Sequence, residues 1–168
     1  DSSGTKQWTR QLGTSKSDIA HGVARDSSNN IYVTGETRGG MDNNTNFGDK
    51  DIFLVKYNAD GVRQWTQQFG TDKEDAGYSI TVVSNFSFVT GLTHGALTGT
   101  NKGSSDIFLL KFNNNSTGSL ESIEQLGTAS EDVAYGLTTD SGGHIYITGY
   151  TKGDPWDVLG TQDNETSS

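Results

Sequence analysis

Acidic residues recur along this chain at a fixed interval. Asp18, Asp75 and Asp132 are 57 residues apart, and Glu74 and Glu131 stand beside the last two. Carboxylate oxygens of this kind suit Ca²⁺, but a calcium loop gathers several oxygen donors within about a dozen residues. No such loop is present, so these aspartates are expected to cap turns by accepting backbone hydrogen bonds. Asp26-Ser27-Ser28-Asn29-Asn30 and Asp140-Ser141-Gly142-Gly143 also resemble ligand loops. Hairpin turns account for both, because Asp, Ser and Asn side chains bond to nearby backbone groups. His21, His94 and His144 share no spacing and no HExxH helix, which argues against a metal site. There is no GxSxG elbow to supply a nucleophile. The expectation is therefore no catalytic residue, no metal ligand set and no resident cofactor, with Ca²⁺ the only candidate that the acids raise.

Two further residue classes could touch a ligand. Trp8 and Trp65 recur, as do Tyr78 and Tyr135, and with Tyr57 they could offer flat platforms for sugar rings. Aromatics at repeated positions are expected to pack between sheets instead. Trp156, beside Pro155 and Asp157 in a divergent segment, does not recur, so Trp156 and Asp157 are the candidate ligand contacts. The sequons at Asn43, Asn85, Asn114, Asn115 and Asn164 are candidate glycosylation sites, although Asn114 and Asn115 are adjacent and would not both be used.

The elements that position these residues repeat as well. RQWTQQFGT at 63–71 restates KQWTRQLGT at 6–14, and ESIEQLGT at 121–128 is a looser copy. Gly13, Gly70 and Gly127 keep the 57-residue step, and so do His21, Tyr78 and Tyr135. YVTGET, FVTGLT and YITGYT form a second block, and DIFLVKY and DIFLLKF a third. A period this long with several short strands in each unit indicates a radial or linear repeat. The units run approximately 6–62, 63–118 and 119–160, with 161–168 as a flexible tail.

Each complete unit supports four strands. In the first they are expected at Ile19–Ala24, Asn30–Thr37, Asp51–Tyr57 and Val62–Phe69, with turn chemistry between them. The chain itself opens on a fourth strand. Ile52, Phe53, Leu54, Val55 and Tyr57 place apolar groups on both faces of the third strand, as a sheet between two other sheets requires. WDVLG at 156–160 would be a shortened third strand of the last unit. Four-stranded antiparallel sheets, apolar on both faces and repeated, describe the blades of a β-propeller.

The pattern GTxxxDxAxG, IYVTGxT, DIFLVKYxxxGxxxWxxQxG resembles the bacterial-type β-propeller repeat, often called the seven-bladed β-propeller repeat, over residues 6 to about 153. That resemblance implies an all-β fold, a large secreted or cell-surface protein, and no enzymatic activity. The chain departs from the pattern at Ser122, where Trp8 and Trp65 recur, and at Ser79, where Gly22 and Gly136 recur.

Composition narrows the function further. Hydrophobic residues make up 30% of the 168, a level that suggests disorder until the ordered alternation of the apolar blocks is considered. Twelve Lys and Arg against 21 Asp and Glu give a net charge of -9, which repels a phosphate backbone and argues against nucleic-acid binding. Without cysteine there are no disulfides and no thiolate chemistry. No apolar run approaches the ~18 residues of a membrane span. A chain that begins at Asp1 is read as a processed or excised piece.

The expected role is a non-catalytic extracellular or cell-surface propeller module that serves as a scaffold or interaction surface. Its expected partners are other copies of itself or neighbouring blades of a longer precursor. The alternative is a carbohydrate-binding lectin that holds surface glycans in the loop after each second strand: 37–50, 93–105 and 151–156.

Overall fold

The computed structural model describes residues 2–154. Trp156, Asp157, Asn164, the expected short strand at 156–160 and the tail at 161–168 lie outside the described residues. Within them the protein is all-β, and its only helical segment is the single 3-10 turn Met41–Asn43. The first sheet is β1 (Asp18–Arg25), β2 (Ile31–Thr37), β3 (Asp51–Tyr57) and β4 (Arg63–Phe69), antiparallel in chain order. The second repeats it as β5 (Asp75–Val83), β6 (Phe86–Thr93), β7 (Asp106–Asn113) and β8 (Leu120–Leu126). The third consists of β9 (Asp132–Thr139) and β10 (Ile145–Thr151). All four expected strands of the first unit are present, shifted at their ends by at most one residue.

The sheets pack face to face, with β5 between β1 and β9. Side chains alternate across a strand, so β3 serves two cores at once. Ile52 and Leu54 point toward the second sheet and join Tyr32, Val89, Phe108, Leu110 and Phe112, all without solvent exposure. Phe53, Val55 and Tyr57 point the other way and cluster with Met41, Leu12, Ile31 and Val33. Each fully buried side chain of this size stabilises the fold by about 1.5–3 kcal/mol. The double-sided apolar pattern thus has a structural cause.

The hydrogen-bonded sheets are phased differently from the sequence units. Each sheet closes at the end of its own fourth strand, at Phe69 and Leu126, rather than at the unit boundaries near 62 and 118. The opening segment also differs from expectation. Residues 6–12 form no strand, because a strand needs a hydrogen-bonded neighbour and none lies alongside among the described residues. They run instead as a strap over the β3–β4 turn of the first sheet. Trp8 Nε1 donates to Ala59 O at 3.0 Å, and Arg10 Nε donates to Gly61 O at 2.6 Å.

Trp65 repeats this contact one sheet further on, where its Nε1 donates to Asn115 O at 3.1 Å. Gly61 (φ +72) and Gly118 (φ +67) lie under the two indoles, where an added Cβ would fall 2.6 and 2.7 Å from ring carbons. Both the left-handed backbone and the ring above it require glycine.

Candidate functional site

The recurring aspartates sit where each sheet hands the chain to the next. Asp18 Oδ2 accepts from Thr14 N at 2.6 Å, and its Oδ1 accepts from Thr37 Oγ1 at 2.5 Å. Asp75 accepts from Thr71 N at 2.6 Å, from Thr71 Oγ1 at 2.9 Å and from Thr93 Oγ1. Asp132 accepts from Thr128 N at 2.7 Å and Thr128 Oγ1 at 2.9 Å. In the first two sheets one carboxylate therefore ties the incoming turn to the end of the second strand, while Asp132 holds the incoming turn through Thr128. Burial pushes the Asp75 carboxyl above the ordinary range, and the hydrogen bonds from Thr93 and Thr71 offset only part of that.

A second clasp went unread in the sequence. Gln68 Oε1 accepts from Met41 N at 2.9 Å, while its Nε2 donates to Gly39 O at 3.1 Å and to buried Asp51 Oδ2 at 2.7 Å. Gln125 does the same for Leu97 N, Gly95 O and Asp106. These clasps hold the near-constant start of each long loop to the fourth strand. The signal was available, since Gln11, Gln68 and Gln125 recur at 57 residues.

The two acidic hairpins are turns held by their own aspartates. Asp26 accepts from Ser28 N, Asn30 N, Asn30 Nδ2 and Tyr32 Oη. Burial opposes the charge on Asp26, but these bonds together outweigh it and leave the carboxyl below its ordinary value. Asp140 binds Gly142 N, His144 N and Tyr146 Oη in the same way. His144 Nδ1 lies 2.8 Å from Asp140, His94 Nδ1 lies 2.6 Å from Ser104 O, and His21 Nε2 is 3.6 Å from Glu36. The structure does not bring the three histidines together. Among the described residues no three His, Cys, Asp or Glu side chains gather around one point.

The inner strands carry the most distinctive surface. The β1–β2 register shifts between Ala20 and Gly22, and the β5–β6 register between Gly77 and Ser79, so His21 and Tyr78 are bulged residues. In the third sheet Thr148 pairs with Gly136 and Gly149 with Ala134, which leaves Tyr135 bulged in turn. A bulge re-aims its side chain out of the ladder. The three bulged rings and Tyr150 form a file of four: His21 meets Tyr78 edge-on at 5.0 Å, Tyr78 stacks on Tyr135 at 5.6 Å, and Tyr150 lies 5.9 Å beyond Tyr135.

Opposite each bulge stands the glycine of the TG motif. At Gly35, Gly91 and Gly149 a Cβ would collide with the carbonyl oxygen of Ile19, Ala76 and Val133 respectively. The 57-residue interval of His21, Tyr78 and Tyr135 was legible, whereas their bulged placement was not.

Charged groups flank the file. Lys50 Nζ is 3.2 Å from Glu36, Arg38 is 3.5 Å from Glu74, and Glu131 accepts from Tyr150 Oη and Lys152 Nζ. The hydrogen bond to Glu131, more than burial, pushes the Tyr150 hydroxyl up to about 12. Tyr135 is 58% exposed.

The remaining candidates fall elsewhere. Asn43, Asn85 and Asn115 are exposed on turns. Asn114 is buried, with its Oδ1 accepting from Ser87 Oγ at 2.9 Å. Its Nδ2, the atom a glycan would occupy, is enclosed as well, so the folded protein does not present this sequon. Trp65, Tyr57 and Tyr78 serve as packing, as their recurrence indicated; Trp65 is 8% exposed and lies 6.1 Å from the Tyr32 ring.

Repeated four-stranded antiparallel sheets, stacked through apolar faces with their first strands adjacent, define a β-propeller type of protein. Within that class, the family model of the Beta-propeller repeat (SBBP) matches residues 7–40 and 123–155 of the chain. Each match runs from a fourth-strand position through the first two strands of the next sheet, so the family's repeat straddles the junction that the aspartates clamp. No curated protein matches the chain. No helix among the described residues is long and apolar enough to cross a membrane.

Proposed function

We propose that this chain is a non-catalytic β-propeller scaffold module of an extracellular or cell-surface protein. The observation that carries this reading is the use of its recurring polar side chains. Asp18, Asp75, Asp132, Gln68 and Gln125 all direct their oxygens and nitrogens to the protein's own loops and junctions. Residues used this way position sheets and leave recognition to the parts that vary between units.

The test is thermal unfolding with and without millimolar Ca²⁺. An unchanged midpoint supports the scaffold role, whereas a rise that Asp75→Asn abolishes would assign the junction aspartates to a metal. Surface location is tested by treating intact source cells with protease, which should remove the protein.

A lectin reading draws on Tyr135, an exposed ring in a stacked file beside Glu131 and Lys152. Sugars bind on such rings through their apolar faces while carboxylates take the hydroxyls. Binding to an array of glycans that Tyr135→Ala eliminates would favour this reading over a purely structural role.

A further inference from the structure

Two tyrosines of the inner-strand file are set for a chemistry that packing does not use. Tyr78 and Tyr135 belong to different sheets, and the bulge at each turns its ring out of its own ladder toward the other. The ring centroids lie 5.6 Å apart with 26° between the planes. A small slide of one ring over the other brings a carbon ortho to one hydroxyl against its counterpart. Neither hydroxyl makes a hydrogen bond among the described residues, so nothing at the ring tips opposes that slide. Tyr135 is exposed and Tyr78 half-buried, which opens the pair to solvent.

The other four tyrosines each lack one of these features. Tyr150 lies 5.9 Å from Tyr135, but its hydroxyl is bound by Glu131, which pins the ring. Tyr146 is 53% exposed, yet Asp140 holds its hydroxyl and no other ring meets it among the described residues. Tyr32 and Tyr57 are buried, and the ring beside each is an indole. Sulfur, the usual sink for oxidants, competes little. The chain has no cysteine, and its one methionine, Met41, is 1% exposed.

We propose that Tyr78 and Tyr135 form an oxidative cross-linking site, at which a peroxidase-class one-electron oxidant joins the two rings into an intrachain dityrosine. Each phenol gives up one electron and one proton, and the two phenoxyl radicals couple through their ortho carbons to form one C–C bond. The ortho C–H bonds then break as their protons return to the phenol oxygens. The pair loses two hydrogens in all, and one hydrogen peroxide is reduced to two waters. The product ties β5 to β9 covalently, a staple between sheets in a chain that has no disulfide. This goes beyond the scaffold reading and does not depend on it.

The full chain, at low micromolar concentration where coupling between molecules is slow, is treated with a haem peroxidase and equimolar hydrogen peroxide. The expected product has the mass of one chain less two hydrogens and shows dityrosine fluorescence. Fragmentation of its cross-linked peptides should identify Tyr78 and Tyr135 without recourse to any variant. Tyr78→Phe and Tyr135→Phe, which keep the rings and remove only unbonded hydroxyls, should each abolish the link, whereas Tyr146→Phe and Tyr150→Phe should leave its yield unchanged. Because the link closes a loop of 57 residues, the oxidised chain should unfold at a higher urea concentration than the untreated one. Absence of dityrosine, dityrosine only between separate chains, a link that survives loss of either hydroxyl or that requires Tyr146 or Tyr150, or an unchanged urea midpoint would each overturn the proposal.

Discussion

The first blade has the same architecture on its two faces and different surroundings. Toward the second blade, Ile52 and Leu54 are fully buried against Phe108 and Leu110, and Trp65 seals the rim over Gly118. On the other side Phe53 and Val55 pack with Met41 and with Leu12 of the strap, and Trp8 is set over Gly61 beside an open pocket. Blade packing is thus carried by a module that works the same way wherever a neighbour exists. An indole, a glycine turn and an alternating third strand make up that module. Ser122, at the position of Trp8 and Trp65, shows where it lapses toward the third sheet.

The largest expected effect comes from removing the sealed indole. Trp65→Ala should destabilise the protein by about 3–5 kcal/mol, the usual range for deleting a buried aromatic. Trp8→Ala should cost less than half as much, because its indole is only partly buried and borders the pocket. Equal losses in urea denaturation would remove the distinction between the two faces.

A smaller effect is expected beneath the same rings. Gly118→Ala forces a Cβ against Trp65 and strains a φ of +67, which should cost about 1–3 kcal/mol. Gly61→Ala meets the same geometry under Trp8, but the strap has room to yield, so its cost should be the lower of the two. The reverse order of melting midpoints would show the strap to be the firmer contact.

The smallest effect separates a buried junction carboxyl from a half-buried hairpin one by pH. The Asp75 carboxyl is raised above 3.8 in the folded state, so its contribution is fully present below that value and is lost as pH rises through the folded pKa. The Asp26 carboxyl is depressed, so its contribution is present above 3.8 and is lost as pH falls through the folded pKa. Relative to wild type, Asp75→Asn should therefore lose less stability as pH rises from 3.8 toward neutrality, and Asp26→Asn should lose more. Parallel pH profiles for the two variants would argue that both aspartates share one environment.

Much of the scaffold was legible because a period-2 pattern and turn residues act locally. DIFLVKY announced a strand with two buried faces, Asp26 to Asn30 announced a hairpin, and the 57-residue step announced repeated sheets. The glycine of each TG motif was equally visible, but its reason was not. Gly91 is dictated by the carbonyl of Ala76 on the neighbouring strand, a contact that exists only after pairing and bulging.

The sequence by itself determined the strands, their order within each sheet and the apolar faces, since these follow from residue type and short-range spacing. Tertiary structure alone decided what joined at long range. It set Gln68 on Asp51 and Met41, re-aimed His21, Tyr78 and Tyr135 into one stacked file, buried Asn114, and left residues 6–12 without a strand partner among the described residues. Spacing along a chain sets which side chains recur, but only the register between strands and the stacking of sheets sets which of them meet.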